Sequence, residues 1–238
     1  MKYDVVASIG YNCEISFRLE NFYERINAMP FSWSYVLDRD SFPGVLKNIE
    51  PLFAGEVRLL DDNMILCENT NIKFHPRYEI LLKDGSVSEE SLAEATEELK
   101  SRVAHLKRKY KDLLVSNKKT LFLFKVENKG EKSNIQFIKN VLEALQETYV
   151  SGNFTVAALI EKGALTPEIK QLENEQIKIR VLKQFAPRKH TDIAGDVMGW
   201  YRILKELTGD AGRGYWKRLW KVRREWFFAV LKKKLLKK

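Results

Sequence analysis

Apolar residues enter this chain in short unbroken runs, and between the runs they recur every three or four positions. Val5-Val6-Ala7-Ser8-Ile9, Thr120 to Val126, Phe154 to Ile160 and Ile177 to Leu182 have strand length and little alternation, the pattern of strands covered on both faces. Helical spacing fills the gaps. It predicts helices over Glu14 to Phe22, over Ser88 to Leu114 (Leu92, Leu99, Val103, Leu106, Tyr110, Leu113), from an N-cap at Ser133 through Thr148, and over Ile193 to Leu207. Parallel neighbours need crossover connections, so strands separated by helices predict an α/β fold of three layers around a mostly parallel sheet. The middle region adds a turn-bounded aromatic cluster, Pro30-Phe31-Ser32-Trp33, a helix over Phe42 to Ile49, and two short strands, Val57 to Leu60 and Met64 to Cys67. Phe31 and Trp33 read as packing.

The pattern changes at Gly209-Asp210-Ala211-Gly212-Arg213-Gly214, which reads as a glycine hinge between an α/β domain of residues 1–208 and a C-terminal helix of residues 215–238. Charge changes there too. Residues 209–238 hold eleven Lys or Arg against Asp210 and Glu225, leaving thirty basic and thirty acidic residues of the chain's 41 and 32 in residues 1–208. The net +9 is therefore a property of the tail, and a basic nucleic-acid-binding face on the body is not supported. Trp216, Leu219, Trp220, Phe227, Val230 and Leu231 recur at helical steps among lysines and arginines, the pattern of a basic amphipathic helix on an anionic membrane surface. The alternative is docking of that face on the body. The first residues show neither a signal peptide nor a spanning segment, and two cysteines suit a reducing compartment, so the expected location is cytoplasmic, peripheral on the inner membrane.

Candidate chemistry gathers where strands end. Cys13 follows Ser8, Gly10 and Asn12 at a strand-to-helix corner, where unpaired backbone N–H groups and the helix dipole favour a thiolate; a small buried apolar cysteine is the other reading. A nucleophile needs a base. His105 lies among Lys107, Arg108 and Lys109 on a solvated helix face, leaving His75, extended before Pro76, and His190, in a polar loop. In a parallel sheet the Gly10 to Cys13 segment would converge with Glu127 and Asn128 after the Phe-rich run and with His190, Asp192 and Asp196 before the last helix. Trp200 lies one turn beyond Asp196. No glycine-rich phosphate motif follows the first strand and no metal-ligand cluster of the Cys-x-x-Cys kind occurs, so neither cofactor nor metal is implied.

The order Ser8-Ile9-Gly10-Tyr11-Asn12-Cys13, Pro30-Phe31-Ser32-Trp33, Phe74-His75 resembles a bacterial family of unknown function labelled papain-like cysteine peptidase, over most of residues 3–208. The resemblance implies Cys13 as nucleophile, His75 as base and a setting in surface-glycan metabolism. Two departures stand out: Ser32 replaces the acid of the family's Pro-Phe-Asp-Trp block, and Pro76 follows His75 where members often carry an acid. The strand and helix order suits a Rossmann-like or SGNH-hydrolase-like sheet better than a papain fold. Two functions are expected on these grounds. One is a cysteine-dependent hydrolase or acyltransferase acting on a peptide, ester or glycan substrate. The other is a noncatalytic or glycosyltransferase-like module of polysaccharide biosynthesis that binds a polar ligand at the sheet end.

Overall fold

The computed structural model describes residues 2–10, 13–24, 26–60, 64–75, 89–187 and 194–235, with side chains throughout except at 89 and 226–235. In chain order its strands and helices are β1 (Val5–Ser8), α1 (Glu14–Tyr23), β2 (Ser34–Val36), α2 (Phe42–Lys47), β3 (Val57–Leu59), β4 (Ile65–Cys67), β5 (Ile72–Phe74), α3 (Glu89–Leu114), β6 (Thr120–Val126), α4 (Glu131–Thr148), β7 (Phe154–Glu161), α5 (Pro167–Lys170), β8 (Ile177–Leu182), α6 (Val197–Thr208) and α7 (Tyr215–Leu235).

The four unbroken runs form one parallel sheet in the order β1-β6-β7-β8, so the α/β reading of the sequence holds. Alternation along β6 shows why both faces are apolar. Phe122, Phe124 and Val126 enter a core shared with Leu99, Val103, Tyr110 and Leu113 of α3 and Phe137, Ile138 and Val141 of α4. Leu121 and Leu123 enter the opposite core, with Ile15, Leu19 and Phe22 of α1 and Trp200, Ile203 and Leu204 of α6. Each such side chain removed from water contributes about 1.5–3 kcal/mol before its entropy is charged, which makes β6 the spine of the domain. At its next step on the α1 face the alternation places Lys125.

A second sheet, antiparallel in the order β2-β5-β4-β3, contains as β3 and β4 the two short strands read from the sequence and adds β2 and β5, which were not read there. Its strands have three residues each, too short for a period of two to register. It joins the core on the α3 and α4 face through Val36, Ile65, Cys67, Ile72 and Phe74. Two helix starts also differ from expectation. Helix α4 begins at Glu131 after Gly130 (φ +88°), because the Ser133 hydroxyl accepts a hydrogen bond from Arg39 instead of capping. Helix α6 begins at Val197, where the Asp196 carboxylate takes the Gly199 N–H at 2.9 Å and so acts as N-cap.

Residues 209–214 do not form a loose tether. Gly209 closes α6 in the left-handed conformation with its N–H on Lys205 O, and Gly212 (φ +57°) is buried where any Cβ would overlap the Phe22 ring. Tyr215 and Leu219 then complete the α1 and α6 core, so the first turns of α7 belong to the body, while residues 236–238 of the expected helix lie outside the described residues. Among the described residues no helix is long and apolar enough to cross a membrane.

Candidate functional site

Cys13 is the N-cap residue of α1, as its place in the sequence requires, but its environment is dry. The thiol is 6 % exposed and its hydrogen-bond partner is the Ser34 carbonyl, 4.0 Å away. Burial pushes it up from 9.0 to about 11, opposite to the direction expected from the helix start, and a backbone hydrogen bond offsets this only in part. Desolvation of a thiolate outweighs the helix dipole, which is worth about 0.3–1 kcal/mol at an end of this kind. A stability consequence follows. The unfolded thiol loses its proton near pH 9 and the native thiol keeps it to about 11, so this contribution is intact below pH 9 and disappears as pH climbs through 11. Urea midpoints are expected to fall by the equivalent of roughly 2–3 kcal/mol over that interval in the wild type, and by less in Cys13→Ala. Buried Tyr215, pushed up to about 12, adds an alkaline loss common to both proteins.

The surroundings of Cys13 are set by the predicted motif residues. Ser8 is buried and its hydroxyl accepts the Gly10 N–H at 3.4 Å; Gly10 (φ +108°) has no room for a Cβ, which would lie 2.9 Å from the Phe42 ring. Phe31 is fully buried edge-on against Phe42 and Tyr110, a packing residue as expected, and Trp33 stacks edge-on with Phe17. Ser32 accepts the Met29 N–H at 2.8 Å, so the position that carries an acid in the resembled family closes a turn here. His75 directly follows Phe74, the strand partner of Ser34; the residue is exposed and its carbonyl accepts Arg102 at 2.7 Å. Tyr11, Asn12, His190 and Asp192 lie outside the described residues. His105 is exposed on α3.

The carboxyl end of the parallel sheet holds a buried charged network that sequence reasoning did not find. Glu14, fully buried at the first position of α1, accepts Lys125 Nζ at 2.8 Å, Trp200 Nε1 at 2.9 Å and the Ala186 N–H at 3.1 Å. Arg18, one helical turn on and also fully buried, pairs with Glu14 at 3.8 Å and donates to the Ala194 carbonyl. Lys125 Nζ also lies 3.9 Å from the centre of the Phe185 ring. Glu161, at the end of β7, accepts the Phe185 N–H at 2.6 Å, and Asp196 takes the Lys183 N–H at 2.9 Å. Both ends of the 185–195 segment are thereby tied to the sheet.

A third buried cation holds the neighbouring loop. Arg39, 0 % exposed, donates to the Glu127 carbonyl at 3.1 Å, to Asn134 Oδ1 at 2.7 Å and to the Ser133 hydroxyl, with its guanidinium 4.8 Å from the Phe137 ring centre. Asn128 Oδ1 closes the turn by accepting the Gly130 N–H at 3.2 Å. Of the sequence-predicted residues, the structure assigns Glu127, Asn128 and Asp196 to loops at this end, and brings Trp200 into the network. Glu14, Arg18, Lys125 and Arg39 were missed. The signals available were a lysine inside the apolar run Thr120 to Val126 and an i,i+4 Glu-Arg pair on a helix with apolar neighbours.

Among the described residues of these loops, Asn128, Lys129, Lys183, Gln184 and Pro187 have exposed side chains. β6 and β8 are separated by β7, so the two loops leave the sheet about 10 Å apart. The polar groups these loops offer to solvent are two ammonium groups and two carboxamides. Comparison with known proteins finds no matching family model, no matching curated protein and no matching solved structure.

Proposed function

We propose that this chain is a ligand-binding α/β module of surface-glycan metabolism at the inner membrane face, taking an anionic sugar derivative such as a sugar phosphate at the carboxyl end of its parallel sheet. One observation carries the reading: buried charges grip the loops on both sides of that end. Removing a carboxylate, an ammonium and two guanidinium groups from water costs several kcal/mol for each ion before pairing, far more than apolar packing of the same sites. What these charges accomplish is to hold the backbone at Glu127, Ala186 and Ala194, close in sequence to the exposed Asn128, Lys129, Lys183 and Gln184. Loops held this way meet a ligand without an ordering cost. The glycan setting comes from the resemblance carried by Ser8 to Cys13 and Pro30 to Trp33. Cys13, dry and facing a carbonyl, serves this reading as a packing residue.

Thermal melts of the full chain with a panel of sugar phosphates and nucleoside diphosphate sugars test it. At least one is expected to raise Tm by about 5–11 °C at one hundred times its Kd, given about 2.7 kcal/mol of linkage and 2–4 °C per kcal/mol for a chain of this size. A flat response across the panel contradicts it.

A second reading, a cysteine hydrolase or acyltransferase, is favoured by the register that sets His75 one residue beyond Phe74, the partner of Ser34 whose carbonyl faces Cys13. In it the thiol passes its proton to an imidazole as sulfur adds to an acyl carbon, the leaving group departs with that proton, and water cleaves the thioester. Loss of acyl-ester turnover in both Cys13→Ser and His75→Ala would favour this reading over the first.

A further inference from the structure

Over residues 215–225, helix α7 is docked along one side. Tyr215 and Leu219 are buried, the Tyr215 hydroxyl donates to the Val197 carbonyl at 3.2 Å, and the Arg218 guanidinium donates to the carbonyls of Asn21, Phe22 and Arg213 at 2.7–2.9 Å. The other side faces water. Trp216 is 41 % and Trp220 71 % exposed. With about 100° between successive residues, Lys217, Lys221 and Arg224 fall on the arc around Trp220 and away from Leu219. Between this arc and the end of α1 runs a groove of about 480 Å³ lined by Glu24, Lys217, Arg218, Trp220, Lys221 and Arg224. The lining acid, Glu24, lies 3.8 Å from Arg218. Lys221 has Glu225 at 4.0 Å, an exposed pair of little strength.

We infer that this groove and its indoles are the docking surface for an anionic phospholipid membrane, with lipid phosphates at Lys217, Lys221 and Arg224 and Trp220 seated at headgroup depth. The inference rests on the inner-membrane reading above and assigns it to particular residues. Charge complementarity carries it, since residues 209–238 hold the whole cationic excess of a chain whose body is neutral. An indole left 71 % in water amid flexible cations is the arrangement that gains from a headgroup layer, where the ring loses water and the lysine stems extend to phosphate. Tyr215 and Leu219 of the same helix are packed with α1 and α6, so the body would be carried close against the bilayer.

Sedimentation of the full chain with vesicles tests this. Wild type is expected to pellet with phosphatidylcholine vesicles containing phosphatidylglycerol, to remain in solution with phosphatidylcholine alone, and to be released when salt rises from about 0.1 M to about 1 M, shortening the screening length from about 10 Å to about 3 Å. Lys217→Ala/Lys221→Ala/Arg224→Ala is expected to weaken partitioning about 100-fold, from about a fivefold effect for each of three surface cations. Trp220→Ala is expected to weaken it about tenfold. These side chains are exposed, so both variants are expected to melt as wild type does. If wild type ignores both vesicle types, the membrane reading itself fails. If it binds anionic vesicles and the two variants bind equally well, the membrane reading stands and this assignment is overturned. Full displacement by inorganic phosphate, or tighter binding of duplex DNA than of vesicles, also overturns it.

Discussion

Glu14→Gln is expected to lower stability by about 3–5 kcal/mol, which for a chain of this size is a fall in Tm of roughly 6–20 °C. The amide keeps the shape of the side chain and can still accept from Trp200 Nε1 and Ala186 N, so the loss comes from charge: Lys125 and Arg18 are left in a space where they are 1 % and 0 % exposed. The reverse deletion is expected to cost less. In Lys125→Met the carboxylate retains Arg18 and two N–H donors, and the methionine fills the stem's place against Phe185. Equal costs for the two variants, measured by urea unfolding, would mean that Glu14 and Lys125 form an isolated pair and that the carboxylate is not the hub of the loops.

Arg39→Met is expected to cost about 2–4 kcal/mol and to loosen one loop in particular. The methionine preserves contact with Phe137, but Asn134 Oδ1 is left with the Lys129 N–H at 3.4 Å, and Asn134 Nδ2 is already buried without a hydrogen bond. Amide exchange at residues 128–131 is expected to accelerate far more than exchange along β6. Uniform acceleration through the sheet would show that Arg39 supports the fold as a whole and does not specifically position that loop.

The parallel sheet was legible because its strands are long and apolar on both faces; Thr120 to Val126 and Ile177 to Leu182 have the bounds read from sequence. The site was legible only at its backbone positions. Periodicity places Glu14 at a helix start and Lys125 near a strand end, but the bond between them joins residues 111 apart, and the bonds from Glu14 to Ala186 and Trp200 span 172 and 186. Local pattern carries no information on pairings at that distance. Ser133 illustrates the same limit at short range: a good capping residue by type, it is taken by Arg39 from another part of the chain, and the helix starts without it. Cys13 illustrates it electrostatically. Its helix start follows from sequence, while burial reverses its titration and the carbonyl it faces comes from Ser34 of β2, 21 residues on.

The central claim is that the ligand is read by side chains on the loops fixed at the carboxyl end of the sheet, with Cys13 in a packing role. Isothermal titration of the sugar phosphate or nucleotide sugar that most raises Tm, into wild type, Cys13→Ser and Lys129→Ala/Lys183→Ala, tests it directly. The expected result is a Kd for Cys13→Ser within about twofold of wild type and a Kd for the double lysine variant at least about tenfold weaker, the loss of about 1.4 kcal/mol or more of charge-assisted hydrogen bonding. Loss of binding in Cys13→Ser, with wild-type affinity in Lys129→Ala/Lys183→Ala, would contradict it.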